Sequence, residues 1–494
     1  MRIVRKSAIV IGSGFAGLSA ASFLAKSGVK VRVLEKHDIP GGRARRLMRD
    51  GFTFDMGPSW YWMPDVFDRY FSLFGKKTSD YYELIRLDPS YRIYWNDGPM
   101  DVPADYGRLC ELLESMEPGA AASMDRFLKE AEYKYRVGIN KLVFKPGQSL
   151  SELMDMELFR GIFRLDVFNS IKKHVAKHFS HPKIRQLMEF PVIFLGARPA
   201  DTPALYSLMN YADIKLGTWY PQGGIYEVVD AMHRLAEELG VEFVFNCDVS
   251  RIEVEGGRAR GVVTSKGERF EADVVVAGAD YHHVESALLE PAYRSHSEGW
   301  WDKRVMAPSS LLYYVGLNKR LPGITHHALF FDEPFDPHAE DIYMNPKWPD
   351  KPLFYLSAAS VTDPSAAPEG CENLVFLIPL AAGLKGDTEE VRERYFDMMA
   401  ERLARHTGMD IRNHVRYKRS YAHADFVRDY NAFKGNAYGL ANTLLQTAHL
   451  KPSCRSRKVS NLYFTGQLTV PGPGVPPSLI SGEVVAGEVM KRFK

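Results

Sequence analysis

Residues 7–35 read SAIVIGSGFAGLSAASFLAKSGVKVRVLE, and this stretch decides the fold. It opens with a short apolar run, Ser7 to Ile11, and closes with a second one, Lys30 to Leu34. Runs of this kind suit buried parallel strands. Residues 16–26 between them predict a helix that ends at Gly28. The order strand, helix, strand predicts a βαβ unit within an α/β fold.

Three glycines at the first turn indicate that this unit binds a ligand. Gly12, Gly14 and Gly17 form the pattern G-x-G-x-x-G. The first glycine permits a tight turn, the second lets a pyrophosphate approach the backbone, and the third allows close helix–strand packing. Glu35, at the end of the second strand, can accept hydrogen bonds from ribose hydroxyls. A glycine-rich turn without a ligand would not need all these parts in this order, so we predict a Rossmann-type dinucleotide site.

Two further segments indicate which dinucleotide is bound. Gly41-Gly42-Arg43 follows the acid, and an arginine there can pair with the pyrophosphate or reach a flavin. At the other end of the chain, residues 461–466 predict a strand that runs into Gly466, with a helix over 479–492. An NAD enzyme does not need the Gly41-Gly42-Arg43 continuation. The two segments together resemble the flavoprotein superfamily of amine oxidases and carotenoid desaturases, and this resemblance implies FAD as the cofactor.

The predicted cofactor contacts are spread over the whole chain. They are Gly12, Ser13, Gly14, Ala16, Gly17, Glu35, Lys36, Gly42, Arg43, Gly57, Pro58, Ser59, Val249, Gly466 and Val475. Residues 235–250 and 272–280 also read as parts of the nucleotide domain. Because the segments of the nucleotide domain are far apart in the sequence, the residues between them must form a second, inserted domain.

Longer segments carry a resemblance to a known family. They are GFTFDMGPS at 51–59, TWYPQGGIYEVVDAM at 218–232, YYVGLN at 313–318, the segments 361–380 and 425–440, and NLYFTGQLTVPGPGVPPSLISGEV at 461–484. The sequence resembles the bacterial-type phytoene desaturases, which are carotenoid desaturases of the FAD-dependent amine oxidase superfamily. It departs from their pattern at Gln467-Leu-Thr and in the proline-rich loop that follows.

The resemblance implies a reaction and its partners. FAD would be the sole redox cofactor, the substrate a lipid-soluble C30 or C40 polyene, and the electron acceptor oxygen or a quinone. Flavin N5 would take a hydride, and the neighbouring carbon would lose a proton. Since this needs no strong base, no residue type stands out, and the catalytic side chain is left unassigned. Asp213, Asp363 and Asp425 are polar candidates for which structural roles are expected.

The expected fold is an α/β Rossmann-type FAD-binding domain with an inserted mixed-sheet substrate domain and a helical membrane-facing cap. The predicted limits are 1–85, 215–290 and 455–494 for the FAD domain, 86–105 and 291–454 for the substrate domain, and 106–214 for the cap.

Residues 150–179 suggest how the protein could reach a substrate dissolved in a membrane. Apolar residues recur there at helical spacing, with Lys172, Lys173 and Lys177 among the basic residues between them. A basic amphipathic helix can lie in the headgroup plane of a membrane, although an ordinary helix packed on the core would look the same. The resemblance implies association with a membrane face, and the expected location is the cytoplasmic side of the cell membrane, as a peripheral protein. Trp60 to Met63 could be interfacial, line a channel or belong to the core.

Other ligands are not expected. The formal net charge is +2, which gives no field for nucleic acid. The four cysteines are scattered and indicate neither disulfides nor zinc. His174, His178 and His181 have the spacing of one helix face, but no carboxylate or cysteine joins them in the sequence, so no metal site is predicted.

Two other classes of function fit parts of the sequence. The first is another reaction on the same scaffold, such as a carotenoid isomerase, a retinoid saturase or an amine oxidase. The second is a non-enzymatic lipid-binding relative, as the Rab GDP-dissociation inhibitors are. The presence of Glu35, Arg43 and the Gly466 segment together favours an enzyme that holds FAD.

Overall fold

The structure is a computed structural model that describes residues 6–147, 165–447 and 450–493. Its strands are β1 Ser7–Ile11, β2 Lys30–Leu34, β3 Arg46–Arg49, β4 Phe52–Asp55, β5 Leu84–Arg86, β6 Tyr91–Trp95, β7 Gly98–Val102, β8 Trp219–Pro221, β9 Glu242–Val244, β10 Val249–Glu255, β11 Arg258–Thr264, β12 Arg269–Glu271, β13 Val274–Ala277, β14 Ser309–Leu317, β15 His327–Phe330, β16 Phe354–Ser357, β17 Glu372–Leu380, β18 Val415–Tyr421 and β19 Leu462–Phe464.

The helices connect and cover these strands. They are α1 Phe15–Lys26, α2 Pro64–Ser72, α3 Tyr106–Met116, α4 Ala120–Val137, α5 Ile171–His178, α6 Pro182–Glu189, α7 Leu208–Tyr211, α8 Tyr226–Glu238, α9 Tyr281–His283, α10 Glu298–Asp302, α11 Phe335–Tyr343, α12 Glu389–Thr407, α13 His423–Tyr430 and α14 Val475–Phe493. Among the described residues, no helix is both long and apolar enough to cross a membrane.

A five-stranded parallel sheet is built from both ends of the chain. Its order is β19-β13-β1-β2-β9, so the last strand lies at one edge, two places from the first. Every residue of β13 is buried, as expected for a parallel strand covered on both faces. The predicted βαβ unit is confirmed: β1, α1 and β2 lie where the sequence placed them.

Helices α1 and α14 pack closely on this sheet. Gly482 of α14 makes the approach possible, because a Cβ there would lie 2.5 Å from the carbonyl oxygen of Ala16. Ser19 also donates a hydrogen bond to the carbonyl of Leu479, at 2.7 Å. The first and last described helices are therefore held together.

A seven-stranded mixed sheet forms the second layer, in the order β18-β14-β17-β16-β15-β6-β7. All nine residues of β14 are buried, and β14 pairs antiparallel with both β17 and β18. The pair β15–β6 is parallel, which makes the sheet mixed. The predicted α/β fold with a mixed sheet is confirmed; the exact domain limits stay a prediction.

Part of the predicted amphipathic stretch lies outside the described residues, namely 150–164. From residue 165 onward the prediction of one continuous helix is wrong. Asp166 has a positive φ of 54°, and the helix starts only at Ile171, with Ser170 as its N-cap accepting a hydrogen bond from the amide of Lys173. The amides of a first helical turn have no partner within the helix, and an N-cap side chain accepts a hydrogen bond from one of them. The side chain of Ser170 therefore sets the start of α5 at Ile171.

Within α5 the two faces differ as the sequence suggested. Ile171 and Val175 are buried, whereas Lys172, Lys173 and Lys177 are exposed. His181 lies beyond the end of α5, at the N-cap of α6, so the predicted three-histidine face is wrong. Residues 60–63 belong to the core: Trp60 stacks on His327 with ring centroids 4.2 Å apart, and Tyr61 is 1% exposed.

Candidate cofactor site

A cavity of about 300 Å³ lies where the carboxyl ends of β1, β2, β13 and β19 meet. In open parallel sheets such a crevice is where ligands bind. Most of the predicted residues line it, namely Gly12, Gly14, Ala16, Glu35, Lys36, Gly42, Arg43, Gly57, Pro58, Val249, Gly466 and Val475. Ser13, Gly17 and Ser59 do not line the cavity, and for these three the predicted direct contact has no support from its geometry.

The glycine turn explains why Gly17 does not line the cavity. Gly12 has a φ of +92° and donates its amide to the carbonyl of Leu34 at 2.8 Å, which closes the turn against β2. A Cβ at Gly17 would lie 2.0 Å from the carbonyl oxygen of Gly12, so this glycine serves helix–strand packing. At Gly14 a Cβ would meet only the carbonyl oxygen of Gly41, at 4.0 Å. The backbone at Gly14 is thus left open towards the cavity.

Ser13 acts on the site through Glu35. One carboxylate oxygen of Glu35 accepts hydrogen bonds from the amide and the hydroxyl of Ser13, at 2.8 and 2.6 Å. The other accepts one from the amide of His37 at 2.9 Å. These bonds hold a buried carboxylate at the cavity wall, where an acid can receive ribose hydroxyls.

The segment 41–44 folds over the glycine turn. The amide of Gly41 donates to the carbonyl of Ser13 at 2.9 Å. Arg43 follows in a short 3₁₀ turn and lines the cavity. Its Nε atom is buried and has no hydrogen-bond partner among the described residues, and burial lowers the pKa of the guanidinium. A buried cation with a free donor fits an anionic group in the cavity.

The last helix supplies the opposite wall. The predicted start at Leu479 is wrong: α14 begins at Val475, because Pro476 and Pro477 are tolerated in a first helical turn. This places Val475 and Ser478 at the cavity. The hydroxyl of Ser481 accepts a hydrogen bond from the amide of Gly466 at 3.0 Å, which ties the end of β19 to the helix.

Several cavity residues were missed by sequence reasoning. Asp280, Tyr281 and His283 follow β13, and Tyr430 and Tyr438 come from the segment 425–440. The sequence assigns residues 272–280 to the nucleotide domain, and the rule that ligands gather at the carboxyl ends of strands could have pointed to the residues after β13. Arg43 lies over the ring of Tyr430, with 5.2 Å from the guanidinium carbon to the ring centroid.

Ser59 and Asp55 belong to a smaller polar cavity beside the first. Asp55 accepts hydrogen bonds from the amides of Ile225 and Tyr226 at the start of α8, at 2.8 and 3.1 Å. Burial raises the pKa of this carboxyl to about 7. Met56 and Gly57 line the cofactor cavity, so the acid lies directly behind its wall.

The three aspartates considered as polar candidates lie away from the cofactor cavity. Asp213 accepts hydrogen bonds from Tyr91 and Thr218, and burial raises its pKa to about 6. Asp363 accepts from the amides of Gly223 and Ser365. Asp425 accepts from the amide of Ala422 and pairs with arginines 392 and 428. Each carboxylate is engaged in holding the fold.

The groups around the cavity fit FAD. An open backbone turn at Gly14, two helix N-termini, a buried arginine with a free donor and an oriented carboxylate suit a pyrophosphate joined to ribose. The cavity also extends to Leu312 and Leu377 of the mixed sheet, which gives an apolar wall for a flat ring system.

Comparison with known proteins agrees with this reading. Residues 15–490 match the family model described as flavin-containing amine oxidoreductase. A carotenoid 3,4-desaturase of Haloarcula japonica is 44% identical over 97% of this chain and 96% of its own length. A zeta-carotene-forming phytoene desaturase of Myxococcus xanthus is 34% identical, with 98% and 93% covered.

A likeness to solved structures concerns the fold alone. Putrescine oxidase bound to putrescine superposes with a TM-score of 0.65 at 16% identity, covering 99% of this chain and 100% of that one. The chain is a flavin-dependent oxidoreductase that belongs to the flavin-containing amine oxidoreductase family, among the carotenoid desaturases.

Proposed function

We propose that the protein desaturates an acyclic C30 or C40 carotenoid precursor. One observation carries this proposal: Leu377 of β17 lines both the cofactor cavity and a second cavity of about 60 Å³. The second cavity lies among apolar side chains, including Phe190, Leu329, Phe331, Phe335, Ile342 and Leu353. A flavin site that shares a wall residue with a hydrocarbon-lined space suits a long apolar substrate.

The charges around this second cavity favour a hydrocarbon over an amine. Among its described lining residues there is no carboxylate that could hold an ammonium group. His338 uses both ring nitrogens, facing the carbonyl of Pro379 at 2.9 Å and the amide of Leu353 at 3.0 Å, and burial lowers its pKa to about 4. Arg198 also lines the cavity, and its guanidinium is paired with Asp201 at 2.6 Å. The names of the two relatives above support the same substrate class.

The reaction removes two hydrogens from neighbouring saturated carbons, one as a hydride and one as a proton. Bound FAD supplies the two-electron acceptor, and oxygen or a quinone takes the electrons onward. Arg43, Glu35 and the turn at Gly14 would hold the cofactor. Leu377 and the apolar walls would orient the polyene and exclude water.

We further propose that the protein works at the cytoplasmic face of the cell membrane. The support is local: Phe168 is 79% exposed, and Lys172, Lys173 and Lys177 are exposed within the next ten residues. An exposed aromatic ring beside lysines suits an anionic headgroup layer.

The activity is tested in cells that accumulate phytoene or lycopene. Expression of the chain should yield a carotenoid with a longer conjugated system, seen by chromatography and a red-shifted absorption band. The variant Ile342→Trp, at a residue that lines the second cavity and not the cofactor cavity, should retain flavin but lose most of this conversion, because the larger ring fills the space for the polyene. Val361→Trp, at a position 45% exposed, should convert like the wild type. Unchanged precursors with flavin-loaded protein would refute the proposal.

Membrane association has a separate test. The protein should sediment with liposomes of anionic lipid at low salt, and charge reversal at lysines 172, 173 and 177 should reduce the bound fraction several-fold. Equal sedimentation of both forms would contradict this part.

A further inference from the structure

A cluster of metal-ligating side chains lies between helices α4 and α5, in the region predicted as a cap. Glu130 of α4 faces His174 and His178 of α5. The Nε2 atom of His174 is 3.7 Å from one carboxylate oxygen of Glu130, and the Nε2 atom of His178 is 3.9 Å from the other. The ligand atoms all lie within 4.8 Å of one another. Histidines four residues apart on a helix share one face, which is why both reach the same acid.

His174 is oriented as a metal ligand would be. Its Nδ1 atom faces the carboxylate of Asp166 at 3.3 Å. The other nitrogen then presents its lone pair to Glu130 and His178. A carboxylate behind a ligating histidine fixes its tautomer and orientation.

We propose that Glu130, His174 and His178 form a site for a divalent transition-metal ion, with zinc the best suited. Two imidazoles and a carboxylate are ligands that zinc accepts, and water would complete a tetrahedron. Bonds of about 2.0–2.1 Å place tetrahedral ligands roughly 3.4 Å apart. The observed separations need to close by less than about 1.5 Å, which side-chain rotation of the exposed Glu130 can provide.

Lys134 is the competitor for this site. Its Nζ atom lies 3.4 Å from Nε2 of His174 and donates hydrogen bonds to the carbonyl of Ala204 at 3.0 Å and the hydroxyl of Ser207 at 3.1 Å. These two stronger bonds can persist when an ion takes the histidine. The positive charge nearby weakens metal binding, whereas the carboxylates of Glu130 and Asp166 strengthen it. Removing this lysine charge should therefore tighten zinc binding.

An ion held here would cross-link α4 to α5. Both helices contribute to the same apolar core, through Phe127 and Val175. The link would raise the thermal stability of this region when zinc is present. It requires neither flavin nor substrate, so it stands apart from the desaturase proposal.

The test is a zinc titration of the full-length protein, prepared without a histidine tag and treated with a chelator. Competition with a chromophoric chelator should show one ion bound per chain. Replacement by Co²⁺ should give the visible absorption of a four-coordinate site. Glu130→Gln and His178→Gln should each weaken the affinity at least tenfold, and Asp166→Asn roughly tenfold. Lys134→Met should bind zinc more tightly than the wild type.

The matched control is a surface pair without a third ligand. His282 and Glu298 lie 2.8 Å apart, and Glu298→Gln should leave zinc binding unchanged. Circular dichroism and flavin content show that each variant is folded. The proposal is overturned if the wild type takes up no stoichiometric ion, if Glu130→Gln and His178→Gln bind like the wild type, or if Lys134→Met binds more weakly.

Discussion

The carboxylate of Glu35 is held by Ser13 through two hydrogen bonds, from the amide at 2.8 Å and from the hydroxyl at 2.6 Å. The serine belongs to the glycine turn after β1, and the acid follows β2. The bonds join the two strand ends at the cavity, so a residue outside the lining sets the position of one inside it.

The hydroxyl of Ser13 should therefore matter for flavin binding. Ser13→Ala removes the 2.6 Å bond but keeps the amide, and we expect FAD affinity to fall roughly tenfold. Reconstitution of the apoprotein, followed by quenching of flavin fluorescence, measures this. Ser27→Ala, which removes an exposed hydroxyl at the end of α1, is the control. Equal affinities in all three proteins would contradict the role given to Ser13.

Arg43 should be the most sensitive side chain in the cavity. Arg43→Met leaves the anionic group without its buried cation, so we expect FAD affinity to fall by tenfold or more. Arg43→Lys should fall between this variant and the wild type, since a lysine lacks the planar fork. Arg49→Met, at a side chain 67% exposed, should behave as the wild type. Bound flavin per chain after gel filtration gives the comparison.

Two glycines of α14 should respond in opposite ways to alanine. At Gly482 the added Cβ would lie 2.5 Å from the carbonyl oxygen of Ala16, so we expect a loss of about 1–3 kcal/mol in the free energy of unfolding. At Gly487 nothing lies within 4 Å, and alanine should add about 0.5–1 kcal/mol by its better helix propensity. Denaturant unfolding measures both, and changes of the same sign would contradict the packing described.

Asp55 should give the stability a pH dependence. Its folded-state pKa of about 7 exceeds the ordinary value of 3.8, so the folded chain keeps a proton that the unfolded chain has released. The free energy of unfolding should therefore decline as pH rises from about 4 to about 7, by roughly 1.4 kcal/mol per unit of pKa difference. Asp55→Asn should lack this decline, measured by denaturant unfolding across that range. Parallel curves for the two proteins would show that the carboxyl does not titrate there.

The first βαβ unit of the fold could be predicted from local sequence patterns. The unit β1–α1–β2 and its glycines follow from neighbouring residues, because strand, turn and helix signals lie within one short stretch. The N-cap of α12 is equally local, because Thr388 accepts a hydrogen bond from the amide of Val391, three residues further on.

Other features depend on contacts between distant segments. Tyr430 and Tyr438 line the cavity because α13, which packs on β14 and β18, also lies against the segment after β2. There the side chains of Lys36 and His37 contact the carbonyls of residues 428 and 429. The break before α5 depends on a single positive φ at Asp166, which apolar spacing does not reveal. Glu130 lies beside His174 because α4 packs on α5, so the spacing of the histidines alone could not predict that this acid belongs to the cluster.

The order of the parallel sheet has a consequence for how the protein is made. Strand β19 and helix α14 leave the ribosome after every other described strand and helix, yet they complete the wall that begins with β1. A nascent chain that stops before Gly466 holds the glycine turn and Arg43 but lacks the opposite side of the crevice. We therefore expect flavin to be captured only after β19 and α14 have been made, and chains truncated before Gly466 should not retain it.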